Sequence, residues 1–225
     1  MKKNIFIFSV IITAAILFYP QTTISLSTGS PGGKTGSPLD NTDCMECHGV
    51  GGTTSILTNI NSNIPPNGYV PGNTYTITAN INPTSILNGF EVTSEENTTN
   101  TKTGTFFITN TNETQLVNNN KSVTHTAAGN SMSTWNFDWE APIIGTGDIT
   151  FYGAFIEAGY PFGANFTDYF SSTTLNISEF IPSVPLTFVP DDNFENYLEL
   201  TGAGNGVWND NYVITTNITT LTTLN

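Results

Sequence analysis

From Tyr69 to Ile177 the chain repeats one pattern, a short run of alternating apolar and polar residues followed by a cluster of turn formers. The runs are Thr74 to Ile81, Gly89 to Ser94, Thr105 to Thr109, Ser122 to Thr126, Trp135 to Trp139, Asp148 to Glu157 and Tyr169 to Ile177. Between them lie Asn82-Pro83, the Asn97 to Asn100 stretch, Asn118 to Asn120 and Gly145-Thr146-Gly147. Successive side chains of a strand point to opposite faces, so a period of two marks a strand with one buried side. Seven or eight such runs at a spacing of roughly ten residues, with no helical period among them, predict an all-β, antiparallel, immunoglobulin-like β-sandwich. Thr and Asn together outnumber all charged residues, a composition that suits strands and turns better than surface helices. Trp135, Phe137 and Trp139 share one strand face and are expected to anchor the core, with an aromatic ligand platform as the alternative.

Charge narrows the partners. Lysine is the only strong base, with 5 Lys against 18 acidic residues, a net charge of −13 and a pI near 4.1. Such a chain lacks the basic patch that a phosphate backbone requires, so no nucleic-acid partner is expected, and anionic lipid is disfavoured for the same reason. At the start, Lys2 and Lys3 precede an apolar run from Ile5 to Tyr19 that ends at Pro20. That run is short against the roughly 20 residues needed to span a bilayer. Residues 1–26 therefore read as a secretory signal, and no permanent membrane span is expected after its removal. The mature protein is expected to be secreted, at the cell surface or in the periplasm.

The two cysteines stand together in Cys44-Met45-Glu46-Cys47-His48. This is the spacing of covalent haem attachment. Two thiols separated by two residues can each add to one vinyl group of a porphyrin, and the next residue then offers an imidazole to the iron. Cys44 and Cys47 are thus expected to hold haem c covalently, with His48 as proximal ligand. A local Cys44–Cys47 disulfide is the alternative. Zinc would need further ligands, and only one other histidine exists, His125. His125 is the candidate distal ligand, Met132 a weaker one, and an ordinary hydrogen-bonded strand histidine the alternative for His125. No Gly-x-Ser-x-Gly or His-Glu-x-x-His motif occurs, and Glu95-Glu96 is read as a solvated pair in a turn-rich loop, so no enzyme is expected.

The stretches YVPGNTYTITANI, NGFEVTSEEN, KTGTFFITN, VTHT, WNFDWEAP and GTGDITFYGAFIEA resemble the reeler (reelin N-terminal-like) domain, in the form found in exported proteins of Bacteroidetes-type bacteria. The segment STGSPGGKTGSPLDNTDCMECHG resembles what precedes it in such proteins. The resemblance implies a surface or secreted module with no catalytic residue, and gives His125 a second, architectural reading. Toward the end, Asp191 to Asn193 offer N-caps for a helix with Phe194, Tyr197 and Leu198 on one face. VPDDNFENYLE and the Ile218, Leu221, Leu224 spacing resemble the cap and opening of a leucine-rich repeat, an array that needs several copies to bury its faces. The chain is therefore expected to be a fragment. The expected plan is a signal (1–26), a Gly/Pro/Ser-rich segment with the haem motif (27–66), the sandwich (67–180), a linker (181–190) and the truncated repeat cap (191–225). The expected function is one-electron transfer by an exported c-type haem protein with an unidentified redox partner. The alternative is a non-catalytic adhesion module for a cell-surface ligand.

Overall fold

Strand formation follows the alternation residue by residue. On the strand Thr74–Asn82 the buried positions are Tyr75, Ile77, Ala79 and Ile81, and on Thr134–Glu140 they are Trp135, Phe137 and Trp139. The computed structural model describes residues 26–48, 56–82, 85–160, 167–180, 185–209 and 211–219; the expected signal lies outside them. Two compact units are present, residues 1–180 and 181–225. Among the described residues no helix is long and apolar enough to cross a membrane.

The first unit is the antiparallel sandwich. Its strands are β1 (Leu57–Ser62), β2 (Thr74–Asn82), β3 (Asn88–Glu96), β4 (Thr105–Phe107), β5 (Thr114–Val117), β6 (Ser122–His125), β7 (Thr134–Glu140), β8 (Ile149–Glu157) and β9 (Tyr169–Ile177). One sheet runs β1-β2-β7-β4, the other β5-β6-β3-β8-β9. Phe90 stacks on Trp135 with centroids 4.5 Å apart, and Trp139 meets Phe151 edge-on at 5.0 Å, so aromatic rings join the two inner faces. Both buried indoles are satisfied: Trp135 Nε1 donates to the Gly129 carbonyl at 2.9 Å, and Trp139 Nε1 to Ser94 Oγ at 3.0 Å. The ligand-platform alternative for these aromatics gives way to the core.

Several expectations change. The segment expected to precede the sandwich, residues 27–66, contributes strand β1, whose polar sequence buries only Ile60 and so carries little alternation. Strand β5 was not expected either, being a four-residue edge strand. The strand expected over Thr105 to Thr109 ends at Phe107. Glu95, expected in a solvated loop, belongs to β3 and is 1% exposed, because residues from the N-terminal segment cover it.

In the second unit, helix Asp192–Leu200 starts where the acidic cluster predicts, with Asp191 Oδ1 accepting from the Asn193 and Phe194 amides. Its buried face holds Glu195 and Leu198, whereas Phe194 and Tyr197 are exposed. The reason is a returning loop whose amides seek acceptors: the Asn209 amide donates to Glu195 and the Asn205 amide to Glu199. Leu186–Phe188, within the expected linker, pairs with Tyr212–Ile214. Ile218 packs on the Val189, Leu198, Ala203, Val213 cluster; Leu221 and Leu224 lie outside the described residues.

Gly104 illustrates how tightly the aromatic core is closed. Its φ is +72°, and a Cβ there would overlap the Trp139 indole. Gly104→Ala is expected to destabilise the sandwich by about 1–3 kcal/mol, combining left-handed backbone strain with overpacking. Urea unfolding followed by tryptophan fluorescence measures it, and an unchanged midpoint would contradict this account.

Candidate functional site

The site is built from the N-terminal segment and the outward face of β3. Phe90 and Val92 of β3 point into the core, so Gly89, Glu91, Thr93 and Glu95 point the other way. Residues 30–34 have few apolar side chains, and they dock instead through Glu91. The Glu91 carboxylate, 0% exposed, accepts from Ser30 Oγ, from the Gly33 amide at 2.8 Å and from the Lys34 amide at 3.1 Å. Ser30 N donates to Thr124 Oγ1 at 3.0 Å, adding β6 to the contact. Charge-assisted bonds of this kind are the stronger class.

Beyond Lys34 the chain loops back, with Thr35 bridging to Asp43. Asp43 Oδ1 caps the Met45 amide at 2.7 Å and starts the helical turn Met45–His48. The Lys34 ammonium is paired with Glu46, which also accepts from Thr42 Oγ1 at 2.6 Å. The amides of Cys47 and His48 both donate to the Cys44 carbonyl, at 3.3 and 3.1 Å. One helical turn puts positions three and four apart on one side, so Cys44, Cys47 and His48 face together. Both cysteines are free thiols. Burial pushes the Cys44 thiol up strongly, aided by the Glu91 and Asp43 carboxylates.

Together they line a cavity of about 150 Å³, open on one side. Its wall includes Cys44, Cys47, His48, His125, Phe90 and Ile156. All four residues singled out from sequence thus meet in one place. Met132 instead packs against the core. Among the described residues no group of three or more His, Cys, Asp and Glu is placed to hold a metal ion.

The two imidazoles are oriented alike. His48 Nδ1 lies 2.7 Å from Oδ2 of Asp168, a 1%-exposed residue whose Oδ1 accepts from the Gly159 amide at 2.9 Å. His125 Nδ1 lies 3.0 Å from the Thr126 carbonyl. A carbonyl oxygen only accepts, so His125 carries its proton on Nδ1, and a carboxylate imposes the same on His48. In its neutral form each histidine therefore holds its lone pair on Nε2, the arrangement in which metal-bound histidines are found. Burial pushes the His125 imidazole below its ordinary value; the Thr126 carbonyl opposes this, and the charge of nearby His48 adds to it. Room for the ring comes from Gly89, since a Cβ there would lie 2.8 Å from His125 Nε2.

Asp168, Gly89 and Glu91 were not singled out from sequence. Asp168 precedes β9 in an unremarkable Thr-Asp-Tyr, and Gly89 and Glu91 read as ordinary strand residues; no local signal separates them from their neighbours.

A family model described as "Reeler domain" matches residues 42–170, more than half of the chain, and covers both the Cys-x-x-Cys-His turn and most of the sandwich. Similar solved structures include two of the human F-spondin reeler domain. One is 21% identical with a TM-score of 0.42, covering 57% of this chain and 91% of that one; the other is 21% identical with a TM-score of 0.41, covering 57% and 95%. The Reelin-N domain of F-spondin is 25% identical with a TM-score of 0.42, covering 57% and 88%. No curated protein matches.

Two outcomes follow from the site. Glu91→Ala removes the common acceptor of residues 30–34; hydrogen exchange is expected to speed up at the Gly33 and Lys34 amides by at least an order of magnitude, while β7 and β8 stay protected. Equal protection in both proteins would show that other contacts hold the segment. The second outcome concerns pH. Because the folded His125 binds its proton less readily than the unfolded one, the unfolded chain takes up the extra proton as the pH falls below about 6.5. Stability from this residue is present above that pH and lost on acidification, so His125→Gln should lose less stability than the wild type between about pH 7.5 and 5.5. Parallel losses would contradict the lowered value.

Proposed function

The chain belongs to the reeler domain family, a family of non-catalytic β-sandwich binding modules, and on that premise we propose that this member is an exported module that binds haem c and carries single electrons. One observation carries the reading: two thiols three residues apart share a cavity with two imidazoles whose Nδ1 atoms are each committed to an oxygen acceptor. The family match speaks for the sandwich as a binding module; support for haem comes from the cavity alone.

The residues fit the group. Cys44 and Cys47 would hold it through thioethers, His48 would be the proximal ligand and His125 the distal one. Leu87 and Ile156 supply an apolar wall. Bound haem would supply a one-electron iron couple, and two axial imidazoles favour electron transfer over oxygen chemistry. Asp168 fixes the ring of His48 and its tautomer; Thr126 does so for His125; Glu91 holds the turn against the sheet. Export to the surface or periplasm, a Bacteroidetes-type source and a leucine-rich-repeat cap over residues 191–225 belong to the same proposal.

A second reading is favoured by the family match: a surface binding module without haem, in which Cys44 and Cys47 are oxidised to each other. Expression with cytochrome c maturation machinery separates the two. The haem reading expects a Soret band, a mass gain of one haem that survives acid–acetone extraction, and loss of both when Cys44 and Cys47 are changed to Ala. His125→Ala should retain the pigment and shift the Soret and α bands; an unshifted spectrum would remove His125 from the iron. A colourless protein two hydrogens lighter than its reduced sequence would overturn haem binding and leave the binding module.

A further inference from the structure

A second group of ionisable side chains lies on the outward face of β3, apart from the cavity. Lys102 Nζ lies 2.8 Å from Asp40 Oδ1 and 2.9 Å from its Oδ2. The Lys102 and Asp40 side chains are 9% and 5% exposed. Glu95, 1% exposed, places Oε1 3.9 Å from the same Nζ, and that oxygen has no hydrogen-bond partner among the described residues. The other Glu95 oxygen accepts from the Leu39 amide at 3.4 Å, which holds the carboxylate beside Asp40. Lys102 also donates to Thr93 Oγ1 at 3.1 Å, and Asp40 accepts from Thr35 Oγ1. An amine, a carboxyl group and a spare buried carboxylate are thus confined together, shielded from water.

A buried ion pair held for stability alone has no use for a second carboxylate beside it whose Oε1 accepts no hydrogen bond, since burying such an oxygen is costly. The same three groups are what amide formation needs: a nucleophile, an electrophilic carbon and a proton carrier, pre-positioned so that a bimolecular reaction becomes intramolecular. We propose that Lys102 and Asp40 join in an intramolecular amide bond, with Glu95 as the proton carrier. The ammonium proton first passes to an Asp40 oxygen, giving a free amine and a carboxylic acid. The Nζ lone pair forms a bond to Asp40 Cγ. Glu95 Oε1 takes a second proton from Nζ and delivers it to the departing hydroxyl, the Cγ–O bond breaks, and one water leaves. No oxidant, metal or activated co-reactant is required.

The bond would tie the N-terminal segment, across 62 positions of sequence, to the chain beyond β3, where Lys102 bridges back to Glu95. It does not depend on the haem reading, and either can fail without the other.

The lysine positions make the test direct. Between Lys34 and Lys102 there is no other basic residue that trypsin cuts, and the next beyond is Lys121. The purified mature chain, with its thiols reduced and no haem maturation machinery, is expected to weigh one water less than its sequence. Trypsin should fail to cut after Lys102, giving a single fragment from residues 35 to 121 in which fragmentation places the link at Asp40. Glu95→Gln, nearly isosteric, should keep the fold by circular dichroism, regain the mass of water and restore cleavage after Lys102. Lys102→Arg should also show the full mass, and its unfolding midpoint should fall by on the order of 10 °C, as expected for loss of a cross-link closing a loop of this length. A wild-type chain of full mass that trypsin cuts after Lys102 would overturn the proposal, as would a water-loss that persists in Lys102→Arg.

Discussion

The arrangement hangs on one buried carboxylate. Glu91 lies on the outward side of β3, where a strand residue ordinarily meets water. Here water is replaced by the Ser30 hydroxyl and the Gly33 and Lys34 amides. A segment rich in Gly, Ser and Pro has too little apolar surface to fold onto a sheet by itself. What it does have is backbone amides, and the small residues let them approach one acceptor together. Once these are fixed, the loop from Thr35 to Asp43 closes, the helical turn is capped, and Cys44, Cys47 and His48 are set beside His125. A tether of the same composition without that anchor would leave the motif wandering over the surface.

Polar satisfaction also sets the chemistry of the cavity. Each histidine has its Nδ1 committed, one to a carboxylate and one to a carbonyl, and in each case the partner leaves no choice of tautomer. The result is a pair of rings whose orientation is set through Nδ1. Asp168 offers His48 a carboxylate and Thr126 offers His125 a neutral carbonyl, so the two rings are held by unlike partners. On the proposed reading this makes the two sides of an iron inequivalent before any partner binds.

Much of the sandwich was legible because its buried faces alternate cleanly. Thr74 to Ile81 and Trp135 to Trp139 show period two with large apolar residues, and both are strands within a residue or so of the expected ends. Strand β1 was not legible, since Leu57 to Ser62 buries one side chain and alternates mostly Asn and Thr. Glu95 was misplaced for a related reason: the rule that acids face water fails where a second layer of chain covers the sheet, and that layer is set by contacts 56 positions away. The motif residues Cys44, Cys47 and His48 were readable from spacing alone. Their meeting with His125 was expected through the haem reading, whereas that with Asp168 was not, because it depends on where the chain enters β9. In the second unit the N-cap was legible and the buried helix face was not, because that face is decided by loop amides that need the acceptors of Glu195 and Glu199.

The two proposed covalent features share a physical cause. Residues 26–48 are held by polar contacts, and each such bond replaces a bond to water, so its net contribution is small against the entropy of ordering the chain. A cavity open on one side likewise grips a flat apolar ligand only in part, because much of the ligand's surface stays wet. Covalent attachment changes both balances without enlarging the core. Thioethers at Cys44 and Cys47 make retention independent of how much surface is buried, and an amide at Lys102 removes open conformations of the segment that carries them. A chain this poor in lysine spends two of its few cations here, Lys34 on Glu46 and Lys102 on Asp40. Both pairs lie within the docked segment or between it and the chain just beyond β3, which is where an acidic protein held by polar contacts most needs positive charge.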